Sequence, residues 1–112
     1  MTDIVFNEKG LIPAIVQDVN TGEVLMLGYM NEEAIRLTLS SNEVWFYSRS
    51  RQVMWHKGET SGNRLIVSEV WKDCDSDTIL VKAKPLGPVC HTGNNTCFFQ
   101  KLNKKDIEPG LG

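Results

Sequence analysis

Residues 12–28 of the chain read IPAIVQDVNTGEVLMLG, with two apolar runs on either side of the turn signal Asn20-Thr21-Gly22. Gly22 accepts the positive φ of a tight turn at little cost, and both flanking runs are rich in the apolar and β-branched residues of strands. The simplest local structure is therefore a β-hairpin that joins residues 12–17 to residues 23–28.

The rest of the chain adds strands and one helix. Four further runs have the apolar pattern of strands, namely residues 43–48, 64–72, 78–84 and 96–101. Asn31 can cap a helix over residues 32–39, whose first turn holds acidic residues where the helix dipole favours them. These elements predict a mainly β fold at the margin of α+β, either a barrel-like closed sheet or a sandwich. We expect a barrel-like mixed β-sheet with one short helix.

Length and composition limit the organisation and the partners of the protein. With 112 residues, 41% of them hydrophobic, the chain can build one core. We expect a single domain over residues 1–102 and a flexible C-terminal tail over residues 103–112, which is polar and contains Pro109 and two glycines. The net charge of -2 argues against binding nucleic acid through a basic surface. Without a leader or a long apolar run, we expect a cytoplasmic protein that crosses no membrane.

Three carboxylates alternate along the segment Asp73-Cys74-Asp75-Ser76-Asp77. In extended backbone they would share one side, where their oxygens suit Mg²⁺, and Cys74 would face the other side. A calcium-binding EF-hand loop is excluded, because Thr78 replaces its sixth-position Gly and Lys84 its final Glu. An acidic surface turn with a half-buried cysteine explains this segment equally well.

The cysteine count points to a metal or to catalysis. Cys74, Cys90 and Cys97 cannot all pair within one chain, and a cytoplasmic setting would keep them reduced. Three thiolates can hold Zn²⁺ and leave the fourth position to water, as in catalytic zinc sites, whereas no CxxC pair typical of structural zinc occurs here. His91 is either a fourth ligand or a general acid or base beside that water.

Residues 45–64 combine aromatic and basic side chains. The basic residues are Arg49, Arg51, Lys57 and Arg64, the one acid is Glu59, and the aromatic residues include Trp45, Tyr47 and Trp55. The local positive charge, mixed with Ser, Thr and Gly, predicts a phosphate-binding surface, and the aromatic rings could stack on a base. Taken one at a time, the same residues are explained as core side chains and a solvated strand end. No P-loop or Rossmann motif is present.

Together these motifs resemble the phosphoribosyl-AMP cyclohydrolase family. The resemblance rests on GLIPAIVQD (10–18), TGEVLM (21–26), YMN (29–31), SRSR (48–51), WHKGETSGN (55–63), DCDSD (73–77) and CHTG through CF (90–98). Gly28 and Ser76 stand where the family commonly has Ala and Gly. The resemblance implies hydrolytic opening of the adenine ring of 1-(5-phosphoribosyl)-AMP to the formimino-aminoimidazole-carboxamide ribotide, a step of L-histidine biosynthesis.

The resemblance also implies metal ligands and an assembly. It implies zinc bound by Cys74, Cys90 and Cys97, and magnesium bound by Asp73, Asp75 and Asp77. It implies an intertwined homodimer in which each zinc site takes Cys74 from one subunit and the other two thiols from its partner. In many organisms a pyrophosphohydrolase domain is fused behind the cyclohydrolase domain. The 112 residues of this chain do not include it, so we expect a monofunctional enzyme whose substrate another protein supplies.

The remaining candidate residues complete the predicted site. The candidate proton carriers are His91, then His56 and Glu59. The candidate substrate-binding residues are Arg49, Arg51, Lys57, Trp55, Thr60 and Ser61. We expect a small-molecule substrate rather than nucleic acid. Two rival functions remain open: a zinc-stabilised module that binds single-stranded nucleic acid, and a metal-dependent phosphohydrolase that does not need its cysteines.

Overall fold

The structure is a computed structural model that describes residues 3–107. In chain order, the elements of this part are β1 (Ile12–Asp18), β2 (Val24–Met30), α1 (Glu32–Ser41), β3 (Trp45–Ser48), β4 (Val53–His56), β5 (Leu65–Lys72), β6 (Ile79–Pro85) and α2 (Lys104–Ile107). The predicted mainly β fold is confirmed, but the described residues contain two short helices where one was expected. Neither helix of this part is long and apolar enough to cross a membrane.

The strands form two sheets. One has four strands in the order β2-β1-β6-β5, and the other is the hairpin of β3 and β4. Strand β1 runs parallel to β6 and antiparallel to β2, and β5 is antiparallel to β6, so the larger sheet is mixed, as expected. Its edges, β2 and β5, do not pair with each other. Both sheets are therefore open, and the barrel-like arrangement is not confirmed.

The first hairpin forms where the sequence predicts it. The side chains of Ile12, Ala14 and Val16 alternate along β1 and are fully buried, which places one face of the central strands in the core. At the turn, the Asp18 carboxylate accepts the Asn20 N–H at 2.8 Å, and Gly22 has φ 79°. The turn residues thus set the pairing that brings β1 and β2 together.

Helix α1 is joined to the β3–β4 hairpin by a buried threonine. The Asn31 side chain caps the helix by accepting the Ala34 N–H at 2.8 Å, as predicted. One turn from the C-terminal end, the Thr38 hydroxyl accepts the Trp45 N–H at 3.0 Å and donates to the Trp45 carbonyl at 3.3 Å. This side chain therefore satisfies both backbone groups of the first residue of β3.

The structure removes one predicted strand and adds one that was not predicted. Residues 96–101 are not a strand, because Thr96 and Cys97 only tether a loop: the Thr96 hydroxyl donates to the Val24 carbonyl at 2.7 Å, and the Cys97 N–H donates to the Leu25 carbonyl at 2.8 Å. Strand β4 was not predicted. The turn before it contains neither Gly nor Pro and uses Gln52 at φ 54°, so it carries no sequence signal for a hairpin.

The C-terminal residues are described only in part. The one-turn helix α2 lies within the predicted tail of residues 103–112, and its side chains are exposed. Residues 108–112 lie outside the described part. The division into a domain of residues 1–102 and a tail remains a prediction.

Gly28 lets β2 approach the core aromatic Phe46. A Cβ added at Gly28 would lie 2.6 Å from Cδ1 of this fully buried ring. We expect Gly28→Ala to lower the free energy of unfolding by about 1–3 kcal/mol, because the core must shift to admit the methyl group. Urea denaturation measures this change.

The matched control for this prediction is the pair Gly28→Ala and Phe46→Leu. Because the smaller side chain makes room for the methyl group, the double variant should lose less stability than the sum of the two single variants. Strictly additive losses would contradict the proposed steric conflict.

Candidate active site

A cavity of about 800 Å³ brings most of the predicted site residues together. It lies between strand β4, the loop of residues 58–63 and the loop of residues 88–93. The candidate residues that line it are Arg51, Trp55, His56, Lys57, Glu59, Thr60, Ser61, Cys90 and His91. Of the predicted catalytic and substrate-binding residues, Arg49 alone does not line it. One concave surface thus holds hydroxyls, cations, an aromatic ring and a thiol.

Two of the three cysteines form a pair beside this cavity. The Cys90 and Cys97 side chains lie close enough together that each affects the pKa of the other. The Thr92 hydroxyl donates to the Cys90 sulfur at 3.0 Å. This bond, together with the hydrogen bond from the Thr92 backbone N–H, lowers the pKa of Cys90. Burial and the neighbouring Cys90 raise the pKa of Cys97. The pair thus contains one thiol that ionises more readily and one that ionises less readily than usual.

Lys57 is a cation close to the thiol pair. Its ammonium group donates to the Val89 carbonyl at 2.6 Å and lies 5.3 Å from the centroid of the Trp55 ring. Burial lowers the pKa of Lys57, and the nearby Cys97 and Cys90 act in the opposite direction. The sequence assigned Lys57 to phosphate binding, but its position also allows it to offset the charge of the thiolates.

The third cysteine lies far from this pair in the same chain. Cys74 is in the turn after β5, whereas Cys97 is tethered to the start of β2, and these strands are opposite edges of the sheet. Three strand spacings of about 4.8 Å separate the edges. Sulfurs bound to one zinc ion at about 2.3 Å each lie much closer together. The three thiols of one chain therefore do not meet at one point.

The three aspartates do meet. Among residues 3–107, Asp73, Asp75 and Asp77 are the one group of three potential ligands whose donor atoms lie within 4.8 Å of one another. The expected extended backbone is wrong: the segment is a turn in which Asp73 accepts the Asp77 N–H at 3.0 Å and Ser76 has φ 62°. The turn, rather than strand alternation, gathers the carboxylates.

Proximity changes the proton affinity of these carboxylates. A hydrogen bond with the Asp75 side chain raises the pKa of Asp77. Desolvation acts to raise the pKa of Asp73, but hydrogen bonds from the Asp77 backbone and its neighbours outweigh it and lower that pKa. Three like charges at this distance repel each other, and a divalent cation with oxygen ligands would relieve the repulsion.

His56 is held by a residue that the sequence analysis did not select. Its Nε2 and the Glu43 Oε1 share a hydrogen bond of 2.9 Å, and its ring stacks on Trp45 with centroids 4.4 Å apart. Arg64 Nε lies 3.6 Å from the same carboxylate oxygen. His91, in contrast, is exposed at the cavity and forms no side-chain hydrogen bond or ion pair with residues 3–107. This arrangement leaves His91 the more available of the two histidines.

Arg49 points to a different region. Its guanidinium carbon lies 4.0 Å from the centroid of the Tyr29 ring, and both residues line a second cavity of about 590 Å³. Lys9 also lines this cavity. The predicted basic group of Arg49, Arg51 and Lys57 is therefore divided between two cavities.

Several contributing residues carry no chemical motif in the sequence. Glu43 is adjacent to His56 only because β3 pairs with β4, and Tyr29 reaches Arg49 only through packing of β2 beside β3. Thr92 could have been found, since it lies two residues from Cys90 and carries a hydroxyl. The others depend on tertiary contacts.

Comparisons with known proteins agree on one family. The family model described as Phosphoribosyl-AMP cyclohydrolase matches residues 26–99. The chain is 57% identical over 99 residues to the Phosphoribosyl-AMP cyclohydrolase of Pelotomaculum thermopropionicum, covering 88% of this chain and 77% of that protein. With the protein of the same name from Bacillus cereus, the identity is 57% over 94 residues, covering 84% and 93%.

A longer relative shares the same region. The chain is 53% identical over 109 residues to the Histidine biosynthesis bifunctional protein HisIE of Caldanaerobacter subterraneus subsp. tengcongensis, covering 97% of this chain and 53% of that protein. The chain thus spans about half the length of the bifunctional relatives it matches. Since the family model covers more than half of the chain and these identities exceed 50%, the chain belongs to the phosphoribosyl-AMP cyclohydrolase family.

Proposed function

We propose that this chain opens the adenine ring of 1-(5-phosphoribosyl)-AMP by zinc-dependent hydrolysis and gives the formimino-aminoimidazole-carboxamide ribotide, a step of L-histidine biosynthesis. The observation that carries the proposal is the coincidence of the family match with one cavity. Residues 26–99 include every residue that lines the cavity of about 800 Å³, with its thiol, two histidines and two cations.

The thiol pair has the chemistry that zinc needs. Cys90 and Cys97 lie together, Thr92 favours ionisation of Cys90, and Lys57 offsets negative charge beside them. Thiolates are the preferred sulfur ligands of zinc, and a catalytic zinc site uses three protein ligands and one open position. The residues present therefore fit a zinc ion that lacks one protein ligand.

A second copy of the chain would supply the missing thiol. Cys74 is exposed and lies at the opposite edge of the sheet from Cys97. It is too far to join a zinc ion bound by Cys90 and Cys97 of its own chain, but it can join one bound by these two cysteines of another subunit. Two chains related by a two-fold axis would form two equivalent sites, each with Cys74 from one chain and Cys90 and Cys97 from the other. We propose this homodimer as the active form.

The reaction assigns roles to the residues of the cavity. When bound, zinc activates a water molecule by lowering its pKa toward neutrality. Trp55 offers a flat surface for the purine, which is cationic because a second ribose is attached to a ring nitrogen. His91 carries the proton from the attacking water to the ring nitrogen that leaves, with His56 and Glu59 as the other candidates. Arg51, Thr60 and Ser61 face the same cavity and bind the polar part of the substrate.

The aspartate turn is proposed as a magnesium site. Three exposed carboxylates within 4.8 Å provide hard oxygen ligands, and water completes the coordination of Mg²⁺ in most such sites. Cys74 lies between Asp73 and Asp75 in the chain. Magnesium bound here would fix the turn that presents this cysteine to the second subunit.

The first experiment tests the substrate and the zinc requirement together. We expect the purified chain with Mg²⁺ to change the ultraviolet absorbance of phosphoribosyl-AMP, to lose this activity after zinc chelation, and to regain it when zinc is added. Zinc content measured by atomic emission provides the control. A folded, zinc-loaded dimer without turnover would contradict the proposed function.

Mixing two inactive variants tests whether the zinc site is shared. Cys74→Ser and Cys90→Ser should each be inactive alone, because each removes one ligand from both sites of the dimer. After subunit exchange, half of the dimers are mixed and hold one intact site, so about a quarter of wild-type activity should return. A mixture of Cys90→Ser and Cys97→Ser is the matched control and should stay inactive. Equal activities for the two mixtures would exclude the shared site.

Substitution of the histidines separates their roles. We expect His91→Ala to lower kcat about 100-fold or more with zinc content and unfolding free energy preserved, because the proton carrier is lost. His56→Ala should instead lower the unfolding free energy, since His56 stacks on Trp45 and bonds to Glu43. Near-normal turnover by His91→Ala would remove this residue from the mechanism.

A further inference from the structure

The second cavity has the composition of an anion-binding site. It adjoins the first, with which it shares Ser48 and Trp55, and its volume is about 590 Å³. Lys9 and Arg49 supply two positive charges, and no acidic residue lines it. The chain as a whole has a net charge of -2, so this concentration of cations without carboxylates is unusual for its surface.

Arg49 is oriented for anion binding. Its guanidinium group lies over the Tyr29 ring, with 4.0 Å from the guanidinium carbon to the ring centroid. An aromatic ring in contact with a guanidinium group does not use up its N–H donors, which can bind two oxygens of one phosphate. Within residues 3–107, no carboxylate forms an ion pair with Arg49. The side chain is therefore positioned by an aromatic contact rather than neutralised by an acid.

The backbone also fixes the other groups of this cavity. The Asn7 side chain accepts the N–H groups of Lys9 at 2.9 Å and of Leu11 at 3.0 Å, which closes the turn that carries Lys9. Glu8 lines an adjoining depression but forms no ion pair with Lys9 or Arg49. The hydroxyls of Ser48 and Ser50 are 3.5 Å apart on the wall of the cavity. Residue 9 and residues 48–50 thus bring two cations and two hydroxyls to one cavity.

We infer that Lys9 and Arg49, with the Ser48 and Ser50 hydroxyls, bind one of the two 5′-phosphates of the substrate. This inference rests on the proposed function. Phosphoribosyl-AMP carries a ribose phosphate on each side of its purine, and Trp55 stands between the two cavities. A purine stacked on Trp55 would extend one phosphate toward Arg51 in the first cavity and the other toward Arg49 in the second.

Kinetics with shortened substrates test this assignment. We expect Lys9→Ala and Arg49→Ala each to lower kcat/KM for phosphoribosyl-AMP about tenfold or more. Two analogues, each lacking a different 5′-phosphate, identify the contact. With the analogue that lacks the phosphate bound by Lys9 and Arg49, kcat/KM of both variants should equal that of the wild-type chain within about twofold. The variants Arg36→Ala and Lys84→Ala are the matched controls. Each removes an exposed cation outside both cavities and should leave kcat/KM unchanged.

A binding measurement separates failure of this inference from failure of the proposed function. Ribose 5-phosphate should bind the wild-type chain weakly in a calorimetric titration, and the double variant Lys9→Ala and Arg49→Ala should bind it at least about tenfold more weakly. Such a loss supports the anion site even if the wild-type chain does not turn over phosphoribosyl-AMP. If ribose 5-phosphate binds equally to the wild-type chain and to the double variant, or does not bind the wild-type chain, the inference is overturned. Turnover by the wild-type chain with unchanged kcat/KM in both variants also overturns it and leaves the proposed function intact.

Discussion

The parallel pairing of β1 with β6 organises the molecule. It places β6 in the centre of the larger sheet, with Ala14 opposite Ile79 and Asp18 opposite Ala83. A parallel strand needs a long connection, and here that connection contains β2, α1, the β3–β4 hairpin and β5. The aspartate turn consequently enters β6 at one end of the sheet, and the loop with Cys90 leaves it at the other. The separation of the two thiol-bearing segments follows from the direction of this one strand.

Features set by neighbouring residues could be predicted from the sequence. The turn at Gly22 and the cap at Asn31 depend on groups two to four residues apart, and both form as expected. Residues 96–101 have the apolar content of a strand, but only Thr96 and Cys97 bond to the edge strand β2, and no strand ladder forms there. Apolar content does not determine whether a partner strand is available. Strand β4 shows the converse, because its partner compensates for a turn that has no Gly or Pro.

In the candidate site, too, residues that are close in the chain could be predicted better than residues brought together by tertiary contacts. Residues within one motif, such as Trp55 through Ser61, reach the same cavity because they are close in the chain. The basic group did not stay together, because Arg49 and Arg51 lie in the turn where the chain reverses after β3, and their side chains line different cavities. Glu43 escaped notice because its contact with His56 exists only across paired strands. Sequence patterns therefore predicted the residues that line the cavity better than the residues that hold them in place.

The attachment of the β3–β4 hairpin has a mechanical consequence. Its base is held at two points, by Thr38 at Trp45 and by the Leu65 carbonyl, which accepts the Val44 N–H at 3.2 Å, and its far end carries Arg49, which lies over the Tyr29 ring. Between these two points the fully buried Phe46 packs against Gly28, so the hairpin is held along its length. One of these contacts comes from α1, so an element that contributes no group to either cavity helps to position the hairpin that carries Arg49 and Arg51.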